Sequence, residues 1–335
     1  MRVGFNPHKD KPLEEEVFNH QVIIPVFIPN HEGYFKDSFQ IFKRCVSSLL
    51  ATIHDRTFVT IVNNGSDELI VDYLAQLLRE NKIHELITTQ NIGKVNAILK
   101  GLAGNNIELV TIADSDVLFL SHWQQATDEV FKTIPKAGVV GIVPQYKTFM
   151  TRCENILWEK WYDKNLKLLP VKNPKALEHF YKSIGWNDWK PEFQNIALGY
   201  EASGGLKVYL GSGHFVATYK KDMFQEIVTY IGYKMGGLSE DYFDECPLKK
   251  DYWRLTTYDN FAYHMGNVYE AWMDQIEHSY DHAYQFSNNF PTYPTISRAE
   301  YLFKSKFLKM IFKSAKVRRL FFRYKKMQKN MLRKN

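Results

Sequence analysis

The sequence predicts an α/β protein built on an open parallel sheet, and three observations predict it. Short apolar, β-branched runs stand at Gln21–Phe27, Thr57–Val62 and Leu109–Ala113, each the length of a buried strand. Segments with apolar residues at helical spacing separate them, so strands and helices alternate as in βαβ units. Pro25–Pro29, Asn63–Asp67 and Asp114–Asp116 each follow the end of such a run. They therefore converge on the carboxyl edge of the sheet, where open α/β sheets bind ligands.

Taken in order, the first strand closes on Pro29, and Asp37 is a candidate N-cap for a helix carrying Phe39, Phe42, Val46, Leu49 and Leu50. The second strand ends on Asn63-Asn64-Gly65-Ser66-Asp67, and Asp67 caps a helix through Leu69, Tyr73, Leu77 and Leu78. A short strand near Leu86–Thr88 leads into Asn91-Ile92-Gly93-Lys94-Val95-Asn96-Ala97, the start of a third helix. The next run, Glu108-Leu109-Val110-Thr111-Ile112-Ala113-Asp114-Ser115-Asp116, stops on two carboxylates one residue apart. Carboxylates at the end of a buried strand are unfavourable unless something positive meets them. A divalent cation carrying a phosphorylated ligand meets them well; a solvated turn is the plain alternative. No G-x-G-x-x-G follows the first strand and no G-x-x-x-x-G-K-[ST] occurs, so a nucleotide here depends on metal and side chains.

Beyond a further strand at Gly138–Pro144 the regularity fades. Residues 145–207 are rich in Trp, Tyr and Lys, with Trp158, Trp161, Trp186 and Trp189. They read either as an irregular packing layer or as an acceptor-binding insertion whose indoles stack on sugar rings. Lys207–Tyr219 reads as strand, tight Gly211-Ser212-Gly213 loop with His214, then strand. The glycines there let a backbone approach a ligand, or form a β-bulge. Glu240 and Asp241 fall at a helix start behind Gly236-Gly237, as catalytic acids or as dipole-complementing caps beside Ser239. His264 ends an aromatic, strand-like run, as a metal ligand or as a hydrogen-bonded structural histidine.

Composition bounds the class. The 335 residues, 45% hydrophobic and 15% aromatic, suffice for one large domain with an appendage. Cys45, Cys153 and Cys246 are too few and scattered for a disulfide framework, which points to a reducing cytosol. The N-terminus carries Glu14-Glu15-Glu16 and no apolar core, unlike a secretory signal, and no run is long enough to span a bilayer. The net charge of +6 hides an asymmetry: 13 of the 43 Lys and Arg lie from Lys304 onward with no acid, leaving 30 against 37 acids before it. From Phe303 apolar residues recur at Phe307, Met310, Val317, Leu320, Phe321, Tyr324, Met327 and Met331. This predicts one basic amphipathic helix of about 30 residues, lying on an anionic membrane surface or packed on the body.

Together VIIPVF, NNGSDE, NIGKVNA, ADSD, GSGHF and SEDYF occur in the order found in family 2 glycosyltransferases of the GT-A fold, and the chain resembles that family over roughly residues 20–270. The resemblance implies a single GT-A catalytic domain, a Rossmann-like mixed sheet flanked by helices, over residues 1–270, with a C-terminal helical extension over 271–335. It implies a nucleotide-diphosphate sugar donor, with Pro25, Phe27, Asn63, Asn64, Lys94, Asp114 and Ser115 on the donor. Mn²⁺ or Mg²⁺ would be held by Asp116, Asp114 and His264. Asp241 would be the catalytic base with Glu240 beside it, and Gly211, Ser212, Gly213 and His214 would face the acceptor. Asn63-Asn64 stand where the family often has two aspartates, and the Gln-x-x-Arg-Trp motif of processive synthases is missing, so transfer of a single sugar is expected. The diphosphate leaves without needing a proton, so one base suffices and the configuration inverts; glycosidases need two carboxyl groups.

The expected acceptor is a saccharide or lipid-linked saccharide, in surface polysaccharide or glycan assembly on the cytoplasmic face of a membrane, with no nucleic-acid partner. The rivals are a sugar-1-phosphate nucleotidyltransferase, which needs a glycine-rich basic loop where Phe27-Ile28-Pro29-Asn30-His31-Glu32-Gly33 stands, and a non-catalytic protein with a nucleic-acid-binding tail.

Overall fold

The structure is a computed structural model and describes residues 4–5, 9–11, 17–146, 148–186, 194–226 and 228–325, without the side chains of 237–239. Its first half alternates as expected: β1 His20–Val26, α1 Ser38–Leu50, β2 Thr57–Asn63, α2 Glu68–Arg79, β3 Glu85–Thr88, α3 Lys94–Leu102 and β4 Leu109–Ala113. These strands pair in parallel in the order β3-β2-β1-β4. Side chains of β1 alternate between two cores. Val22, Ile24 and Val26 pack with Phe42, Val46 and Leu49 of α1, while Ile23 packs on the other face with Val62, Val95 and Ile98. Gly101 lets α3 lie close on β1, since a Cβ there would stand 2.9 Å from the Ile23 methyl.

The second half extends the sheet. It comprises β5 Val117–Phe119, α4 Trp123–Thr133, β6 Ala137–Gly141, α5 Glu154–Glu159, β7 Leu166–Pro170, α6 Pro174–Ser183, β8 Ile196–Glu201, β9 Lys207–Leu210, β10 Val216–Lys220, α7 Gly237–Lys249, β11 Trp253–Thr257 and β12 Ala262–His264. β10 enters antiparallel between β4 and β6, and the ten-stranded order is β3-β2-β1-β4-β10-β6-β11-β9-β8-β7. The aromatic region 145–207 is thus not an irregular layer: β7 and β8 form the far sheet edge. Trp186 packs on Tyr146 and Tyr181, and Trp158 is half-exposed; Trp189 lies outside the described residues. β5 and β12 form a separate two-stranded ladder.

Two capping expectations divide. Asp67 caps α2, its Oδ1 accepting from Ile70 N at 3.2 Å. Asp37 makes no side-chain cap to α1; its Oδ2 accepts the amide of Tyr269 at 3.1 Å, holding the chain that leaves β12.

Residues 284–293 run back along the amino edge of the sheet. Glu108 accepts the amides of Asn289 and Phe290 at 2.8 and 3.0 Å, and Asp128 accepts Tyr284 Oη and the Ser287 amide. Lys220 donates to the carbonyls of Pro135 and Pro291. The tail then departs from the single helix expected. It consists of α8 Arg298–Leu302, a π-helical turn Phe303–Phe307, α9 Leu308–Lys313 and α10 Ala315–Tyr324. The break is at Ser314, whose ψ of 121° leaves the helical region. The chain bends there so that Phe312 and Phe321 both reach Trp161, and Phe322 reaches Phe149. Met327 and Met331 lie outside the described residues.

Candidate active site

The carboxyl ends of β1, β2 and β4 meet as expected. Pro25–Ile28, Asn64 and Asp114–Asp116 share one cavity of about 500 Å³, with Tyr34, Phe35 and Lys234 opposite. A second hollow of about 340 Å³ lies alongside, lined by Ser212, Gly213, His214, Glu240, Arg254 and His264 among others. Lys94 and Asp114 line both and form the partition between them.

That partition is an ion pair. Lys94 Nζ lies 2.5 Å from Asp114 Oδ1 and 3.9 Å from Glu240 Oε1. Burial works against the ammonium, but Asp114, Glu240 and Asp116 outweigh it and raise the Lys94 pKa. Lys94 comes from the first turn of α3, and Asp114 immediately follows β4.

Asp116 takes a different partner. The β5–β12 ladder pairs Val117 with His264, and the Met265 amide donates to Asp116 O at 2.8 Å. This brings His264 Nε2 to 3.3 Å from Asp116 Oδ2, while His264 Nδ1 contacts Ser183 Oγ at 3.0 Å. Asp116 Oδ1 is buried without a hydrogen-bond partner. Burial, reinforced by Asp114, pushes its carboxyl up to about 6, with His264 and Lys94 pulling the other way. Among the described residues no group of three or more His, Cys, Asp or Glu stands ready for a metal. Asp116 and His264 could together hold a hard cation that takes further ligands from phosphate and water.

Other expected residues are placed as follows. Asn63 is buried and its Oδ1 accepts the Ser66 amide; Asn64 accepts the Ile92 amide at 2.9 Å and lines the larger cavity. Both build the loop, and Asn64 also faces the cavity. Gly211 and Gly213 are tight against protein: a Cβ would meet Thr148 at 2.4 Å and Gln145 at 2.2 Å, respectively. Ser212, Gly213 and His214 line the smaller hollow. Glu240 also faces that hollow, whereas Asp241 is about half exposed with its Oδ1 3.7 Å from Arg152. Arg152 also binds Glu245 at 2.6 Å and follows Thr151, a residue of the hollow's wall.

Sequence reading missed a buried relay behind this wall. Asp244 receives Arg254 at 2.6 Å and His214 at 3.3 Å, and Arg254 also donates to Ser212 O. The arginine holds the Asp244 carboxyl low, despite burial that raises it. The signal available was Arg254 inside the apolar strand Trp253–Thr257, since a buried guanidinium implies a carboxylate partner.

The profile of Glycosyl transferase family 2 matches residues 25–182, just under half of the chain. No curated protein matches the chain. Among solved structures, the 1–349 form of S. aureus TarS is similar at 12% identity and TM-score 0.45, over 77% of this chain and 69% of that one. A mannosyltransferase of Pyrobaculum calidifontis, solved in complex with GDP-Man and Mn²⁺, is similar at 15% identity and TM-score 0.42, over 76% of this chain and 61% of that one. S. aureus TarS 1–349 in complex with UDP-GlcNAc gives 12% and 0.44, over 76% and 62%. These likenesses are loose, and no residue's role is taken from them. The stretch similar to family 2 glycosyltransferases, residues 25–182, takes in β2, β3, β4 and the Asp-x-Asp that follows β4.

Proposed function

We propose that the protein is a metal-dependent, inverting glycosyltransferase that moves one sugar from a nucleotide-diphosphate sugar to a hydroxyl of a saccharide or lipid-linked saccharide, in surface polysaccharide or glycan assembly. The observation that carries this is the pairing of Asp116, with its orphaned buried oxygen, and His264 at 3.3 Å on the edge of a nucleotide-sized cavity. The larger cavity suits the nucleoside, with Pro25, Phe27 and Asn64 as its wall and Asp114 and Ser115 at its floor.

A Mn²⁺ or Mg²⁺ ion, held by Asp116 and His264 with Asp114 beside it, would neutralise the diphosphate as a Lewis acid. Lys94 stands where a departing diphosphate accumulates charge and exchanges its carboxylate partners for phosphate oxygens. Asp241 takes the acceptor hydroxyl's proton, with the Arg152 guanidinium 3.7 Å from its carboxylate; Glu240, inside the hollow, hydrogen-bonds the acceptor. A single base opposite the leaving group inverts the anomeric carbon. Ser212, Gly213 and His214 form the acceptor wall, with Gly211 shaping their loop. The mannosyltransferase bound to GDP-Man and Mn²⁺ supports the type of donor and ion. A panel of UDP-, GDP- and dTDP-sugars with and without Mn²⁺, scored by thermal shift and donor hydrolysis, tests the reading. No metal-dependent response to any donor would overturn it.

We also assign catalysis to residues 1–270, and to 271–335 an extension that holds the enzyme peripherally on the cytoplasmic face of an anionic membrane. No helix among the described residues is long and apolar enough to cross a membrane. The tail buries Leu308, Phe312, Phe321 and Phe322 yet leaves Phe307, Met310 and Leu320 outward, at 47, 61 and 64% exposure, among lysines and arginines. Each basic residue at the surface adds about 1 kcal/mol with anionic lipid. The chain should float with anionic vesicles at low salt and release as salt rises. Because truncation after Glu300 would uncover Trp161, Phe307→Ser with Met310→Ser is the sharper variant. Flotation unchanged by that pair, or absent in the intact chain, would leave the tail as a packing element.

A further inference from the structure

The segment 228–236, between β10 and α7, crosses the site, and one buried side chain of α3 holds it. Asn96 is 8% exposed, and its carboxamide is fully engaged. Nδ2 donates to Ile231 O at 2.8 Å and to Ile92 O at 2.7 Å, and Oδ1 accepts the Ile231 amide at 2.9 Å. The side chain thus pairs with both polar groups of one residue of the strap, as a neighbouring strand would, and the pairing is shielded from water. Two residues earlier the Lys94 amide donates to Lys234 O at 2.8 Å. Gly93, at φ 89°, admits the strap: a Cβ there would stand 2.9 Å from Tyr233 O.

The strap lies between two parts of the site. Lys234 and Met235 wall the larger cavity, and the chain then enters α7, which carries Glu240 and Asp241. The same first turn of α3 sends the Lys94 side chain to Asp114 and Glu240. From this geometry we infer that Asn96 is a positioning residue for sugar transfer. It fixes the strap that closes the nucleotide side of the site and sets where the acidic pair begins, while touching neither substrate. The inference rests on the donor-site reading above and adds to it a residue outside the cavity. Without Asn96 the strap loses both bonds at Ile231, while the Lys94 amide still holds Lys234 O. Donor binding must then order nine residues that the native protein already holds.

The test uses the full chain and two variants. Asn96→Ala removes all three bonds; Asn96→Asp keeps the shape and the acceptor for the Ile231 amide but removes both donors. Trypsin cleavage after Lys234, which is exposed, reads the strap without reference to activity. Cleavage should accelerate about tenfold or more in Asn96→Ala, and less in Asn96→Asp, each lost buried hydrogen bond counting for part of a decade. In wild type a nucleoside diphosphate with Mn²⁺ should slow cleavage. The donor KM should rise in the order wild type, Asn96→Asp, Asn96→Ala, by more than kcat falls, with the melting temperature little changed. Equal cleavage rates and equal donor KM in all three proteins would overturn the inference. So would an Asn96→Ala protein whose losses all track a lowered melting temperature, since that describes a purely structural residue. If wild type binds no nucleotide while cleavage still separates the variants, the donor reading fails and the strap's attachment stands.

Discussion

The two ends of β4 hold carboxylates in opposite conditions. At the amino end Glu108 is answered by two backbone amides, those of Asn289 and Phe290. At the carboxyl end Asp116 keeps a buried oxygen with no partner, and Asp114 faces Lys94, which Glu240 also approaches. The strand between them, Leu109–Ala113, is wholly buried, so the difference lies in what the rest of the chain brings to each end. A carboxylate whose lone pairs are filled by backbone holds the fold together. One left unfilled beside a histidine and a cavity marks where a ligand completes the structure. The same contrast separates Asp67, which caps α2, from the acids at the start of α7.

Substitutions at the two ends should therefore fail in different ways. Asp116→Ala should abolish metal-dependent nucleotide binding and transfer while the melting temperature changes little, because its Oδ1 has no hydrogen-bond partner to lose. Retention of full activity in excess chelator would break the contrast at its stronger end. Asp241→Asn should lower kcat about 10²–10⁴-fold with donor affinity nearly unchanged, the range supplied by a general base. A wild-type rate in that variant, with a collapse in Glu240→Gln, would transfer the base to Glu240.

A pH effect belongs to the amino edge. His20 and His54 are buried there, His20 against Thr111 and Gln124 and His54 on Phe286. Burial holds His20 well below its usual value, and lowers His54 from 6.5 to about 4. Between those values the unfolded chain binds protons that the native protein refuses. Stability is then complete above about pH 6.5 and is lost as pH falls toward 4, by about 3 kcal/mol at most from His54. His54→Gln should flatten the melting temperature between pH 7 and 5; an unchanged slope would assign the acid lability elsewhere. Smallest of all, Glu108→Ala should cost about 2 kcal/mol of stability, the scale of charge-assisted hydrogen bonds, and leave the donor KM untouched. A kinetic effect there would mean that the two ends of β4 are coupled.

Much of this edge was legible in the sequence because it depends on local pattern. The runs at β1, β2 and β4 read as strands, and the polar residues after them could only meet at one edge. His264 was within reach as a residue type, but its register against Val117 spans the chain and has no local signature. Asp244 was hidden for the same reason, looking like an ordinary surface charge until Arg254 is seen paired with it. The strands β7 and β8 escaped because Gly199 and Lys167 interrupt their apolar pattern at a sheet edge. The tail misled in another way. Its apolar spacing was real, yet Ser314 splits it, so that one stripe became two short faces meeting on Trp161. Asn96 looked like any polar residue in a helix's first turn, and only the distant strap gave it meaning.

The return of residues 284–293 along the amino edge bears on how the protein is made. The ribosome releases β1 to β4 early, but Glu108 meets the Asn289 and Phe290 amides, and Asp128 and Lys220 complete the sets begun by Lys132 and Pro135, only when that late stretch has emerged. Until then the newborn sheet carries incompletely satisfied charges along one margin, and the fold is sealed from its far end. Cutting the gene at residue 270 should therefore yield an aggregation-prone intermediate rather than a smaller working enzyme.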